Sequence, residues 1–309
     1  MEHLRLGADM EAYQWAGVAM PWRYARPLAE EHAAVRHRCG IVDASQLRVL
    51  EVVGPGSGAV LDTTLSRRVS GLRPGTSRHA LVHNRRGRVA DELIALRLDA
   101  DRYWLSTGAG CTRVRLAELG VVAVERDDLH VIAVQGPGSA AVLGRLVDAS
   151  GLGPGEHRPV GGVRVARAGF TGELGFELYL DGADAVETWR ALLAAGAEAY
   201  GYACVDLLRI EAGFLLYPND LSPVGAPPGA RVGGLLAPGP ESVPRGTVVH
   251  LGGAPVGLVT SSAYGPVQDA VLCLALLAPP ALDRHDTVGL GEGREGRLVG
   301  LPFVERRDR

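Results

Sequence analysis

Cysteine is scarce in this chain and wrongly spaced for a disulfide framework or a zinc site. Cys39, Cys111, Cys204 and Cys273 lie far apart and make no CxxC pair, so all four read as reduced core thiols. The histidines are scattered without paired ligand spacing, and no metal is expected. An excess of charge of one sign is also missing. Lys and Arg number 32 against 35 Asp and Glu, a net charge of −3, and the arginines form no basic stripe. Neither nucleic acid nor an anionic membrane is an expected partner. No stretch approaches the ~20 apolar residues of a membrane span. The N-terminus lacks a basic start leading into an apolar run, so the cytoplasm is the expected location. What is present is a globular composition, 47% hydrophobic and 22% charged over 309 residues. That is enough chain for a large core and more than one domain.

The most informative stretch runs Ala168-Gly169-Phe170-Thr171-Gly172-Glu173-Leu174-Gly175-Phe176-Glu177-Leu178. It joins the strand-like Val163–Arg167 to a second strand, Phe176–Leu180. Its three glycines allow a tight turn and close approach of a ligand to the backbone. Glu177 stands in a strand that otherwise reads as apolar. Facing inward it would need a partner, because an unpaired buried charge is very costly. Facing outward it would be an ordinary hairpin residue.

Upstream, Pro27 to Arg38 reads as a helix with His32 and His37 on a solvated face, ended by Gly40. An internal echo follows. Leu50–Leu61 and Ile132–Leu143 each carry a β-rich run, then GPGS, then an amphipathic segment. Neither has the lysine and hydroxyl residue of a phosphate loop. Proline in a first turn and serine as a cap account for the motif, and the echo implies two similar α+β halves. Between the copies, His79–Asn84 and Arg88–Leu96 form a hairpin about Arg85–Gly87. Alternation sends Asp91 and Glu92 to opposite faces, one inward. Helices are expected at Cys111–Leu119, Ala183–Ala195 and Val205–Phe214. A Pro- and Gly-rich crossing loop follows at 221–245, then short strands to the end.

Taken in order, these stretches resemble the aminomethyltransferase family, the glycine-cleavage T-protein and its tetrahydrofolate-dependent relatives. AGVAMP at 16–21, IVDASQL at 41–47, GRVADELIA at 87–95, IAVQGP at 132–137, GFTGELGFEL at 169–178, LLRIEAGFLLYPNDL at 207–221 and VGLVTSSAYGP at 256–266 are each similar to a family motif. The resemblance implies an α+β fold of two similar lobes around a central folate channel (1–225) and a C-terminal β-barrel (226–309). Glu177 falls on the family's pterin-binding glutamate, with Phe170 and Phe176 as expected ring neighbours. Thr107 and Asp220 fall on further cofactor-site positions. Glu92 falls on the catalytic acid.

The departures shape the functional expectation. The family's aspartate is here Glu92, one methylene longer. His79 stands for a pocket tyrosine, Thr107 for an asparagine and Val205 for an arginine. The segment between Pro223 and Thr247 is shorter than usual. The resemblance therefore implies a divergent tetrahydrofolate-dependent methyl- or aminomethyl-transferase. It would act on a small or carrier-borne metabolite in a biosynthetic pathway outside glycine cleavage. Two alternatives remain: an enzyme that has lost folate and uses His79 and Glu92 as an acid–base pair, and a non-catalytic folate-binding protein.

Overall fold

The structure, a computed structural model, describes residues 2–10, 13–15, 17–108, 110–221, 225–282, 287–291 and 293–308. Two compact units form. The first comprises 1–169, 173–202 and 307–309, and the second 170–172 and 203–306. The division falls before Ala203, whereas the sequence reading put its boundary at 225.

The first unit contains two sheets, one for each half of the echo. The larger has six strands, in the order His157–Val160, Val163–Ala166, Gly175–Asp181, Leu129–Gln135, Gly40–Asp43, Glu198–Ala199. All its pairs are antiparallel except the last. The smaller has five, in the order Thr76–His83, Val89–Asp99, Arg102–Thr107, Arg48–Val53, Ala123–Glu125. Strand alternation sorts the side chains into layers. Phe176, Leu178 and Leu180 join Trp189 and Leu192 of the helix Gly182–Ala194 on one face of the larger sheet. Leu50, Val52, Leu93, Ala95 and Leu105 pack with Leu61 and Leu116 under the helices Ser57–Thr64 and Cys111–Glu118. A third layer lies between the two sheets: Val49, Leu96 and Trp104 from the smaller, Val131, Ala166 and Tyr179 from the larger.

The helix Leu28–His37 is less solvated than its charges imply, for Glu31, His32 and Arg36 are buried, while Glu30 and His37 are exposed. Glu31 accepts the backbone N–H of Tyr24 through Oε1 and of Gly201 through Oε2, both at 2.8 Å. Arg36 reaches Glu173 at 2.9 Å. The two GPGS segments also depart from expectation, because the caps are glycines, Gly56 and Gly138, with no side-chain cap bond. Ser139 instead donates to the Leu174 carbonyl at 3.1 Å. Of the cysteines, Cys39, Cys204 and Cys273 are buried as expected; Cys111, at the first turn of its helix, is exposed.

The second unit is built on a closed six-stranded barrel. Its strands run Arg231–Ala237, Ala270–Leu277, Ala254–Gly265, Val248–Leu251, Thr287–Gly289, Glu295–Val299. Arg231–Ala237 lies inside the stretch read as a loop. Gly233 and Gly234 weaken the strand pattern there, yet the segment pairs with both Ala270–Leu277 and Glu295–Val299. The helix Tyr202–Glu211 enters this unit and places Ile210 with Leu272 and Leu274. No helix among the described residues is long and apolar enough to cross a membrane.

Candidate functional site

The glycines of the 168–178 stretch serve chiefly to seat a side chain from the neighbouring strand. A Cβ at Gly169 would lie 2.1 Å from Gln135 Oε1, and one at Gly175 would lie 2.2 Å from Gln135 Nε2. Gln135 also donates to the Ala168 carbonyl at 3.2 Å. Gly172 has φ +78°, a conformation that favours glycine. The turn is therefore fixed by the QGP segment of the echo, and it delivers Glu177 to a defined place in the next strand.

Glu177 is 6% exposed. Its cross-strand partners are Ala133 and Ala166, so small side chains flank the carboxylate on both sides. Tyr179, two residues on and hence on the same face, donates its hydroxyl to Glu177 Oε2 at 2.8 Å. Among the described residues the other oxygen, Oε1, accepts no hydrogen bond. Burial pushes the carboxyl above the ordinary glutamate value, and the Tyr179 hydrogen bond takes back only part of that rise. The Tyr179 phenol is held well above its own ordinary value by burial and by the adjacent Glu177.

The acidic pair on the smaller sheet divides as alternation requires. Asp91 is the inward one, fully buried. Its Oδ2 accepts the Thr107 hydroxyl at 2.6 Å, the Thr112 hydroxyl at 2.7 Å and the Thr112 backbone N–H at 3.1 Å. Its Oδ1 accepts the Glu92 backbone N–H at 2.9 Å. Asp91 thus ties the strand Val89–Asp99 to the start of the helix Cys111–Glu118. Glu92 lies on the opposite face, with Ile94 and Leu96, towards the layer that holds Tyr179. His79 Nε2 stands 3.4 Å from Glu92 Oε2, with the histidine side chain 53% exposed and the glutamate 17%. The two are diagonal neighbours, because Leu81 is opposite Glu92 and His79 opposite Ile94.

The remaining expected site residues are placed otherwise. Phe176 follows the alternation of its strand and points into the core on the far face from Glu177, so it cannot flank a ring bound at that carboxylate. Phe170 belongs to the second unit, where it stacks on Phe214 at 5.4 Å and 16°, with Arg306 over the other ring at 4.2 Å. Thr107 is buried, its hydroxyl committed to Asp91. Asp220, in the second unit, is 2% exposed and crowded with donors. Its Oδ2 accepts from Arg209 at 2.5 Å and from the Leu216 backbone N–H at 2.9 Å; its Oδ1 accepts the Ser261 hydroxyl at 2.8 Å, and Thr260 donates there too. Neither Thr107 nor Asp220 offers an open polar atom.

Sequence reasoning passed over Tyr179, although the i, i+2 spacing from Glu177 places it on the same face. It also missed the aromatic group at the N-terminus. Tyr13 stacks on Trp22 at 5.2 Å and on Tyr202 at 5.1 Å. Trp15 donates its indole N–H to the Gly108 carbonyl at 2.6 Å, just beyond Thr107. Among the described residues no three His, Cys, Asp or Glu side chains are grouped to hold a metal.

A fold of two paired sheets and a barrel, with one under-partnered glutamate between the sheets, defines a class to which known proteins can be compared. The model of the GCVT N-terminal domain matches residues 1–236. An aminomethyltransferase of Streptomyces avermitilis is 34% identical over 362 residues, spanning 99% of this chain and 96% of that protein. The gamma subunit of a heme-dependent oxidative N-demethylase of Ectopseudomonas mendocina is also 34% identical, over 71% of this chain and 61% of its own. The crystal structure of the glycine cleavage system aminomethyltransferase T from Bartonella henselae superposes with a TM-score of 0.89 at 26% identity, covering 99% and 97% of the two chains. The chain belongs to the aminomethyltransferase family, a family of enzymes.

Proposed function

We propose that this enzyme moves a methyl- or aminomethyl-type one-carbon unit between tetrahydrofolate and a small or carrier-borne metabolite, in a pathway other than glycine cleavage. One observation carries the folate part: a buried carboxylate, flanked by alanines, with one oxygen held by Tyr179 and the other open. A pterin edge offers an amino group beside a ring N–H, two parallel donors that a carboxylate accepts in bidentate fashion. The residues present fit that group. When bound, the folate supplies the nitrogen that accepts or releases the carbon unit. The protein orients the ring through Glu177. Glu92, whose strand face looks into the same layer, supplies negative charge near the reacting atoms. Glutamate there in place of the family's aspartate supports a substrate other than that of glycine cleavage. The similarity to an N-demethylase subunit is in keeping with that reading.

Titration calorimetry with tetrahydrofolate tests it. Micromolar binding is expected for the unaltered enzyme, with a loss on Glu177→Gln of about 1.5–3 kcal/mol, the value of a charged hydrogen bond. No binding by the unaltered enzyme would overturn the folate reading. It would favour chemistry at His79 and Glu92, whose 3.4 Å contact is the observation behind that alternative.

A further inference from the structure

We infer that Tyr179 is a positioning residue for this site, pinning Glu177 Oε2 so that Oε1 is presented, ionised, to the N–H edge of the bound ring. The inference rests on the folate reading for the identity of the ligand, but its core concerns this chain alone. A carboxylate in an apolar site is stabilised by each donor it gains, and this one has a single donor from the described residues. Tyr179 is itself fixed, packed in the layer between the sheets 6.0 Å from Trp104. Its hydroxyl therefore approaches the carboxylate from a rigid ring and holds one oxygen, leaving Oε1 and the second lone pair of Oε2 for the two N–H donors of a ligand.

The surroundings make Tyr179 hard to replace. On the flanking strands Ala133 and Ala166 stand opposite Glu177 and bring no charge. One row on, Arg164 and Val131 stand opposite Tyr179. Arg164 is occupied at that row, for its guanidinium lies over Trp104 at 5.1 Å and reaches His157 Nδ1 at 2.9 Å. From the smaller sheet, Glu92 looks into the same layer. Ser106 lies near the phenol oxygen without a hydrogen bond of good geometry to it. Against the burial that raises the Glu177 carboxyl, the lowering influence among the described residues is the Tyr179 hydroxyl. A ligand presenting two N–H donors needs the carboxylate rather than the acid. Loss of the hydroxyl should thus impose a proton-release cost on binding.

The test is a pH series on Tyr179→Phe, read in two ways. The first reading is tetrahydrofolate affinity. The variant should bind about ten- to a hundredfold more weakly near neutral pH and recover towards wild type as pH rises, its midpoint moved upward. The second needs no ligand: the difference in thermal midpoint between each protein and its Glu177→Gln counterpart, followed against pH. That difference titrates with Glu177, and Tyr179→Phe should move it to higher pH. A purely structural tyrosine would weaken binding equally at every pH and leave both midpoints in place, which would overturn the inference. Should Tyr179→Phe fail to fold, 3,5-difluorotyrosine at position 179 keeps the shape and strengthens the donor. The midpoint should then move downward, and an unmoved one would overturn the inference equally. If the ligand-free midpoint shifts but no folate binds, the proposed cofactor is wrong and the positioning role stands. If folate binds and the midpoint does not shift, the reverse holds.

Discussion

Asp220 in the second unit and Glu177 in the first are both buried carboxylates, yet their surroundings are opposites. Asp220 faces a guanidinium, two hydroxyls and a backbone N–H. Arg209, its counter-charge, is itself fully buried and also tied to Asp206, Ser261 and the Phe214 carbonyl. Asp91 repeats the saturated pattern in the first unit, with two threonine hydroxyls and two backbone N–H groups. Glu177 has one phenol and two alanines. Saturated acids join elements of the fold; an acid kept short of partners costs stability and is ready for a ligand. The contrast assigns roles without reference to any bound molecule.

Breaking a saturated acid should give the largest effect. Asp220→Ala removes the buried counter-charge of Arg209, leaving the more exposed Asp206 to balance a fully buried guanidinium, and should destabilise the protein by about 3–5 kcal/mol, read from urea denaturation. Asp91→Ala comes next. It strands the Thr107 and Thr112 hydroxyls and the Thr112 N–H in the first turn of the helix Cys111–Glu118, at a cost of about 2–3 kcal/mol. A value under about 1 kcal/mol for either would mean that water or a neighbour replaces the lost acceptor, and the contrast with Glu177 would collapse.

Glu177→Gln should behave in the other sense. Its carboxyl is raised in the folded state, so the acid contributes stability that is present below its unfolded value and lost as pH rises through the folded value. The amide carries no charge to bury and has no such loss. Thermal midpoints of the two proteins should therefore diverge with rising pH, the Gln variant becoming the more stable while it loses its ligand. A Gln variant less stable than wild type at every pH would make Glu177 a structural acid like the other two.

Much of this was open to a reader of the sequence, and the failures have identifiable physical causes. The ordered motifs anticipated the paired sheets and the barrel, because each motif carries its own turn or strand chemistry. Alternation required one of Asp91 and Glu92 to point inward but could not say which, since both are flanked by apolar residues. The same alternation already excluded Phe176 as a neighbour of a ring at Glu177, and it pointed to Tyr179. The partners of Asp220 were not legible. Arg209, Thr260 and Ser261 lie 11, 40 and 41 residues away, and only the folded chain brings them to one carboxylate. The strand Arg231–Ala237 was hidden because its two glycines read as a turn, while its pairing partners on both sides were out of sequence range.

The smallest effect separates the two readings of the hairpin. His79 lies on an edge strand with its side chain 53% exposed, and its contact with Glu92 is 3.4 Å long. An ion pair so open to water contributes between zero and about 1 kcal/mol, so His79→Phe should leave stability nearly unchanged. Its effect on turnover is the discriminating number. If Glu177 orients a folate and Glu92 acts by its charge, His79 takes no proton, and His79→Phe should alter kcat by no more than a few-fold. If His79 and Glu92 shuttle a proton themselves, the same change should cost about 100- to 10,000-fold. Glu92→Gln should be severe in both cases and serves as the control that the assay reports on this site. The exposure of the histidine argues for the first outcome, because a general acid–base pair gains most where water is kept away from it. A large loss in His79→Phe, with Glu177→Gln harmless, would reverse the assignment and move the chemistry from the layer between the sheets to the rim of the smaller one.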